Sequence, residues 1–124
     1  MRLTKQRQVI LETLKDTDTH PSADKVYERV RKRIPDVSLG TVYRNLEKLS
    51  NEGLILKLDT GDGRMRYDGN PAEHHHFACT ECGGVYDVPE SAGVSVSYKK
   101  NAIKGFNVKG CSLMLRGTCG RCGT

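Results

Sequence analysis

The sequence predicts an α+β fold, in which an N-terminal winged helix-turn-helix is followed by a small α/β domain with a four-cysteine zinc site. Three observations predict this fold. Three helix-like segments precede a hairpin pattern, the composition changes near residues 69–71, and all five cysteines follow residue 78. We expect the first domain over residues 1–68, a linker over residues 69–72 and the second domain over residues 73–124.

Helical periodicity and capping residues define the first half of the chain. Apolar residues recur every three or four positions in three segments, and a threonine, serine or proline stands at the start of each segment. A Thr-Gly-Asp-Gly turn then separates two short segments, which is typical of a β-hairpin. The predicted elements are helices from Thr4 to about Lys15, from Pro21 to Ile34 and from Ser38 to Asn51, and strands Leu54–Leu58 and Met65–Asp68.

The second half is rich in cysteine and glycine and contains short apolar segments. Strands are predicted at His76–Ala78 and Val85–Val88, around the first cysteine pair, and at Val108–Leu115, before the second pair. Residues Ser91–Lys104 fit both a strand and a helix, so periodicity alone leaves this segment open. Cys111 is interpreted as a small apolar residue of the last strand, because free cysteines are usually buried.

Length and charge exclude some classes of protein and leave others open. A chain of 124 residues has little room for a large core, so a metal, a disulfide or a second copy is expected to stabilise it. No apolar run approaches the roughly 20 residues of a membrane span, and the N-terminus lacks the apolar core of a signal sequence. We therefore expect a cytoplasmic protein without a membrane partner. Its formal charge of +5 permits nucleic-acid binding but does not prove it.

Two C-x-x-C-G units carry the clearest chemical signal: Cys79 with Cys82, and Cys119 with Cys122. Two residues between thiolates let both sulfurs face one metal, and the following glycine permits the tight turn that directs backbone N–H groups at sulfur. Four thiolates match tetrahedral Zn(II), and such a closed site is structural because no position remains for a substrate. Unrelated pairs or redox disulfides are the alternative, which the glycine shared by both units disfavours.

Histidines and aspartates suggest a second metal site. His74 and His76 are two residues apart, so they share a face if they lie on a strand, and the histidine between them points away. Asp68 ends the predicted hairpin, Asp87 lies in the strand after the first cysteine pair, and His20 precedes the second helix. Three imidazoles and two carboxylates would suit Fe(II) or Mn(II), and can also take Zn(II). Each of these residues, taken singly, is equally consistent with an ordinary surface position.

Four motifs occur in order along the chain. They are Leu3-Thr4-Lys5-Gln6-Arg7, His20-Pro21-Ser22-Ala23-Asp24, Ser38-Leu39-Gly40-Thr41-Val42-Tyr43-Arg44-Asn45-Leu46 and His74-His75-His76-Phe77-x-Cys79-x-x-Cys82-Gly83. Together they resemble the ferric uptake regulator (Fur) family of bacterial metal-dependent repressors, over essentially the whole chain. The resemblance implies an N-terminal DNA-binding domain, a C-terminal dimerisation domain, and a homodimer that binds a palindromic operator.

The resemblance also assigns residues to roles. It implies structural Zn(II) on the four paired cysteines, a regulatory Fe(II) or Mn(II), and a helix around Ser91–Lys104. The regulatory ligands it implies are His20, Asp68, His74, His76 and Asp87. The third helix becomes the recognition helix, and its predicted DNA-binding residues are Thr41, Tyr43, Arg44 and Lys48.

Two departures from the family pattern limit what is carried over. The chain starts almost at the Leu3-Thr4 motif, so DNA contacts from a preceding helix are not expected. Residues 109–112 lack the histidine that many members use for a further metal site, so a third site is not expected.

Asp68 favours one branch of the family. The peroxide-sensing branch, the PerR-like repressors, typically has aspartate at this position, where iron sensors typically have glutamate. The aspartate in Val85-Tyr86-Asp87 also suits that branch. In it, ferrous iron reacts with hydrogen peroxide and a ligand histidine is oxidised, which releases the metal and the DNA. The matching oxidation-sensitive candidates here are His20 and His74.

Other functions remain as alternatives. Within the family these are sensing of iron, zinc or haem. A zinc-ribbon interaction module that does not bind DNA would explain the cysteines but leaves the third helix and the histidines without a role. A metal-dependent hydrolase is disfavoured because the chain lacks H-x-E and H-E-x-x-H motifs. We therefore expect a regulator and not an enzyme.

Overall fold

The computed structural model describes residues 2–123, which divide after Ala72 into two compact units. The N-terminal unit contains α1 (Lys5–Lys15), α2 (Ala23–Val30), α3 (Leu39–Asn51), β1 (Leu56–Asp59) and β2 (Met65–Asp68). The C-terminal unit contains β3 (His76–Cys79), β4 (Val85–Asp87), a short 3₁₀ turn (Glu90–Ala92) and β5 (Met114–Gly117). No helix within residues 2–123 combines the length and the apolarity needed to cross a membrane.

The helix starts follow the capping residues that the sequence predicts. The Thr4 side chain accepts a hydrogen bond from the Arg7 backbone N–H at 3.3 Å, and Ser38 Oγ accepts one from Thr41 at 3.1 Å. Each bond satisfies one of the orphan N–H groups of a first turn. Behind these starts, the apolar faces of the helices form one core with the hairpin. Its fully buried members include Ile10, Leu14, Val26, Val30, Val42, Leu46, Leu49, Ile55 and Tyr67.

α2 is shorter than predicted. It ends at Val30, and the chain continues to Ile34 through hydrogen-bonded turns, in which Lys32 and Arg33 donate to carbonyls three residues back. Such tightening is common at helix ends. Ile34 still packs against the core, which explains why it fits the apolar period of the helix.

The hairpin pairs Leu56 with Asp68 and Asp59 with Met65. β2 agrees with the prediction, whereas β1 begins two residues later than Leu54. Leu54 instead donates its N–H to the Leu49 carbonyl at 3.0 Å and closes the end of α3. β2 thereby carries Tyr67 into the core, where burial raises the pKa of its hydroxyl to about 12.

A three-stranded sheet of order β4-β3-β5 forms the C-terminal unit. β3 is the central strand, antiparallel to β4 and parallel to β5. The first cysteine pair follows β3 directly, and the second pair follows β5. The parallel register sets Cys79 opposite Gly117, so the two cysteine units lie at the same end of the sheet.

The predicted helix around Ser91–Lys104 is wrong. Only the 3₁₀ turn is present there, and residues 93–113 contain no helix or strand. Gly93 closes that turn in a left-handed conformation, at φ 69°. Tyr98 and Ile103 are about half exposed, so this segment has no apolar face packed in the single chain, and isolated short helices need such packing.

The last strand is also shorter than predicted. β5 begins at Met114 rather than Val108, so Cys111 lies outside every strand and is exposed. The interpretation of Cys111 as an apolar strand residue is therefore wrong.

Candidate metal sites and nucleic-acid interface

Four cysteines of the C-terminal unit form one cluster: Cys79, Cys82, Cys119 and Cys122. Their sulfur atoms all lie within 4.8 Å of one another. Cys82 and Cys119 are 3.8 Å apart between sulfurs, close to the edge of a tetrahedron with metal–sulfur bonds of about 2.3 Å. We call this group the four-cysteine cluster.

Backbone N–H groups point at the sulfurs, as the glycine after each pair predicts. Cys79 Sγ accepts from the N–H groups of Cys82 at 3.4 Å and Cys119 at 3.3 Å. Gly84 donates to Cys82 Sγ at 3.4 Å, past a left-handed Gly83 at φ 73°. Amide donors stabilise thiolates, which are the form that binds a metal.

The hydrogen bonds also change the acidity of the thiols. Donation by the Cys82 and Cys119 N–H groups lowers the pKa of Cys79. The N–H groups of Arg121 and Cys122 lower the pKa of Cys119 to about 6. Cys122 is the exception: its hydrogen bond to Cys119 raises its pKa to about 12, so this thiol has to lose a proton when a metal binds. The donor set and the N–H···S bonds fit structural zinc.

In the N-terminal unit, His20 and Asp68 form a buried pair. His20 Nε2 lies 3.7 Å from Asp68 Oδ2, and the two side chains are 2% and 5% exposed. Two features fix this geometry. Pro21 accepts a hydrogen bond from the Tyr67 N–H at 3.0 Å, which ties the loop to β2, and His20 adopts a left-handed backbone with φ 50°. Such strain in a residue other than glycine is characteristic of functional sites.

In the C-terminal unit, two histidines meet one aspartate. Asp87 Oδ1 lies 2.9 Å from His74 Nε2 and 3.4 Å from His76 Nε2, and the two imidazole rings are 4.2 Å apart between centroids. The cross-strand pair of His76 with Asp87 produces this arrangement. His75 takes another direction, because its Nδ1 accepts a hydrogen bond from the Leu113 N–H at 3.0 Å.

Each unit therefore offers imidazole and carboxylate ligands that lie close together. Nitrogen and carboxylate oxygen are ligands that suit Fe(II), Mn(II) and Zn(II). The carboxylate beside each imidazole can either ligate a metal or orient the ring for it.

The exposed face of α3 carries the predicted DNA-binding residues. Tyr43, Arg44 and Lys48 are exposed, and Thr41 is half-buried. Arg44 Nη2 donates to Thr41 Oγ1 at 3.2 Å, which orders the guanidinium along the start of the helix. These four residues line a surface cavity of about 680 Å³.

Arg7 lines the same cavity and was missed by sequence reasoning. Its Nε donates to Asn45 Oδ1 at 2.9 Å, and its Nη1 donates to the Arg2 carbonyl at 2.8 Å. Asn45 is only 8% exposed, so this bond fixes α1 against α3 and adds a cation to the cavity. The available signal was the Leu3–Arg7 motif, which alone does not indicate that α1 contributes to the surface of α3.

Comparisons with known proteins decide the family. A sequence profile described as the ferric uptake regulator family matches residues 1–116. The chain belongs to the ferric uptake regulator family. The peroxide operon regulator of Bacillus subtilis is 34% identical to it over 122 residues, which are 98% of this chain and 84% of that protein.

Two solved structures of the Fur family resemble this chain closely. The Campylobacter jejuni peroxide stress regulator superposes with a TM-score of 0.77 at 32% identity, covering 94% of this chain and 88% of that one. A zinc-bound manganese uptake regulator superposes with a TM-score of 0.68, also at 32% identity, covering 96% and 91%. The mixed helix-and-strand fold class is thereby confirmed.

Fur family proteins are metal-responsive transcriptional regulators and not enzymes. They bind operator DNA and act as dimers. The hydrolase alternative is therefore excluded, and the relatives' names place this chain beside peroxide-responsive members.

Proposed function

We propose that this Fur family protein is a peroxide-sensing, PerR-like repressor of the cytoplasm. It binds a palindromic operator as a homodimer when loaded with Fe(II) or Mn(II), and metal-catalysed histidine oxidation releases it. The observation that carries the proposal is the pair of aspartates, Asp68 and Asp87, each within 4 Å of a histidine of the predicted ligand set. An iron-responsive repressor of the same family is the alternative, and the peroxide response distinguishes the two.

The four-cysteine cluster binds structural zinc in this proposal. Cys79 and Cys82 follow one strand of the C-terminal sheet, and Cys119 and Cys122 follow another, so zinc links segments that are far apart in sequence. The C-terminal unit is the dimerisation domain and needs this link, because its sheet is small.

The regulatory site joins His20 and Asp68 of the N-terminal unit with His74, His76 and Asp87 of the C-terminal unit. Sharing one metal between the units selects the arrangement that binds DNA. The affinity for DNA rises only as far as the metal binds that arrangement more tightly than others. The buried His20–Asp68 pair supports this role, because such a pair is positioned before any metal arrives.

Peroxide sensing depends on the ligand histidines. Ferrous iron, when bound, supplies the electrons that reduce hydrogen peroxide. His20 and His74 are the residues that take up one oxygen atom, and an oxidised imidazole loses a basic ring nitrogen. The two units then no longer share a ligand set, and the protein leaves the operator.

The test of this proposal uses the full-length dimer and a DNA duplex selected from a random-sequence library with Mn(II)-loaded protein. We expect the affinity for this duplex to fall roughly 5- to 150-fold when the regulatory metal is removed and zinc is retained. A fluorescence anisotropy titration measures the affinity, and zinc analysis confirms that the structural site stays loaded. Equal affinity with and without Mn(II) would refute metal-dependent repression.

Arg44→Ala should weaken operator binding without changing the zinc content. If Arg44 makes a bidentate contact to guanine, the loss is about 1–3 kcal/mol, or roughly 5- to 150-fold in affinity. Arg29→Ala is the matched control, because Arg29 is an exposed arginine of α2 that does not line the α3 cavity. Operator affinity that is the same in Arg44→Ala, Arg29→Ala and the parent would assign Arg44 to an ordinary solvated surface.

A further inference from the structure

Tyr86 lies against the four-cysteine cluster. It follows Gly84 by two positions on the strand, and residues two apart share a face. A Cβ built on Gly84 would come within 2.8 Å of the Tyr86 hydroxyl oxygen, so the hydroxyl sits directly over this glycine. Gly84 in turn donates its N–H to Cys82 Sγ at 3.4 Å. The cross-strand pair with Phe77 holds the aromatic ring in this position.

The hydroxyl of Tyr86 joins a basic side chain to a ligand sulfur. It hydrogen-bonds with the guanidinium of Arg121 and with Cys119 Sγ. A guanidinium can only donate and a phenol can do both, so Arg121 donates to Tyr86 and Tyr86 donates to the sulfur. Cys119 is thus held by two backbone N–H groups and one phenol.

These side chains also border the surface from which a small molecule reaches Cys119. Tyr86, Arg121 and Cys119 line one cavity of about 390 Å³, together with Phe77. Hydrogen peroxide is small enough to enter such a space. A thiolate that attacks peroxide breaks the O–O bond, gives up two electrons to become a sulfenic acid and releases the other oxygen as hydroxide.

A thiolate that accepts strong hydrogen bonds is a weaker nucleophile, because nucleophilicity falls with basicity. We propose that Tyr86, held by Arg121, is a positioning residue of the four-cysteine cluster that protects the Cys119 sulfur from hydrogen peroxide and so retains the zinc. The inference rests on the proposed zinc site and adds a division of labour to the proposed function: the histidines react with peroxide while the cysteines do not.

The test compares Tyr86→Phe with the parent protein, both zinc-loaded and free of iron. Under excess hydrogen peroxide, a chromogenic chelator should report zinc release that is roughly 2- to 10-fold faster from Tyr86→Phe, the change that one lost hydrogen bond gives. Arg121→Gln, which leaves the aromatic ring in place, should show a smaller increase. Tyr98→Phe is the control, because Tyr98 is 50% exposed and does not line this cavity, and its release rate should equal that of the parent.

A spectroscopic readout separates hydrogen bonding from packing. In the Co(II)-substituted proteins, loss of the hydrogen bond should shift the thiolate-to-cobalt charge-transfer band of Tyr86→Phe to lower energy, whereas altered packing alone would not. An unchanged band together with an unchanged release rate would overturn the role of Tyr86 and leave the zinc site standing. Parent protein that purifies without zinc would overturn the zinc site itself, and this inference with it.

Discussion

Replacing Cys119 with serine is expected to remove zinc, to unfold the C-terminal unit and to dissociate the dimer. The physical reason is the size of its core. The buried apolar residues described in this unit are Ala78, Cys79, Val85 and Cys119, and two of these four are themselves in the cluster. In small zinc domains, metal binding supplies about 10–16 kcal/mol of apparent free energy, which is also folding free energy.

The matched control is Cys111→Ser, which changes an exposed cysteine outside the cluster. It should keep one zinc per chain and remain a dimer. Zinc content by plasma emission spectrometry and mass by light scattering measure both properties. A Cys119→Ser protein with stoichiometric zinc and the mass of a dimer would contradict the structural role of the cluster.

Low concentrations of hydrogen peroxide are expected to release the iron-loaded protein from DNA and to leave the manganese-loaded protein bound. Manganese does not support the same oxidation, so the two forms differ only in their reaction with peroxide. Asp68→Glu is the matched variant. It keeps a carboxylate beside His20 but lengthens it by one methylene, so it should retain metal-dependent binding with a weaker peroxide response.

Local rules predicted the N-terminal unit well. Thr4 and Ser38 cap helices as their types suggest, and the apolar periods of the three helices identify the core. Errors are confined to element ends, such as the last turn of α2. They arise because a packed residue such as Ile34 continues an apolar pattern whether or not its backbone is helical.

The segment over residues 93–113 was not predictable in the same way. Its apolar residues fit two periods, and the resemblance to the Fur family favoured the helix. The 3₁₀ turn is closed by Gly93, and Phe106 beyond it is 70% exposed, so no tertiary contact in the single chain stabilises a helix. Here the competing element lacks a packing partner, and sequence periodicity carries no information about that partner.

At the candidate sites, short spacings were informative and long-range neighbours were not. The C-x-x-C-G units and the alternation of His74 with His76 indicate ligands within one segment. The contacts of Arg7 with Asn45 and of Tyr86 with Cys119 join residues more than 30 positions apart, and no spacing rule indicates them. These contacts depend on helix packing and strand register, which only the folded chain defines.

Peptide mass spectrometry after peroxide treatment tests the central claim most directly. The protein is loaded with Fe(II) or with Mn(II), exposed to hydrogen peroxide on its operator and digested, and the peptides that contain His20 and His74 are compared. The account predicts the added mass of one oxygen atom on one of these histidines in the iron form only, together with loss of DNA binding. Unmodified histidine peptides in an iron-loaded protein that stays on the DNA would contradict peroxide sensing and favour an iron-responsive repressor.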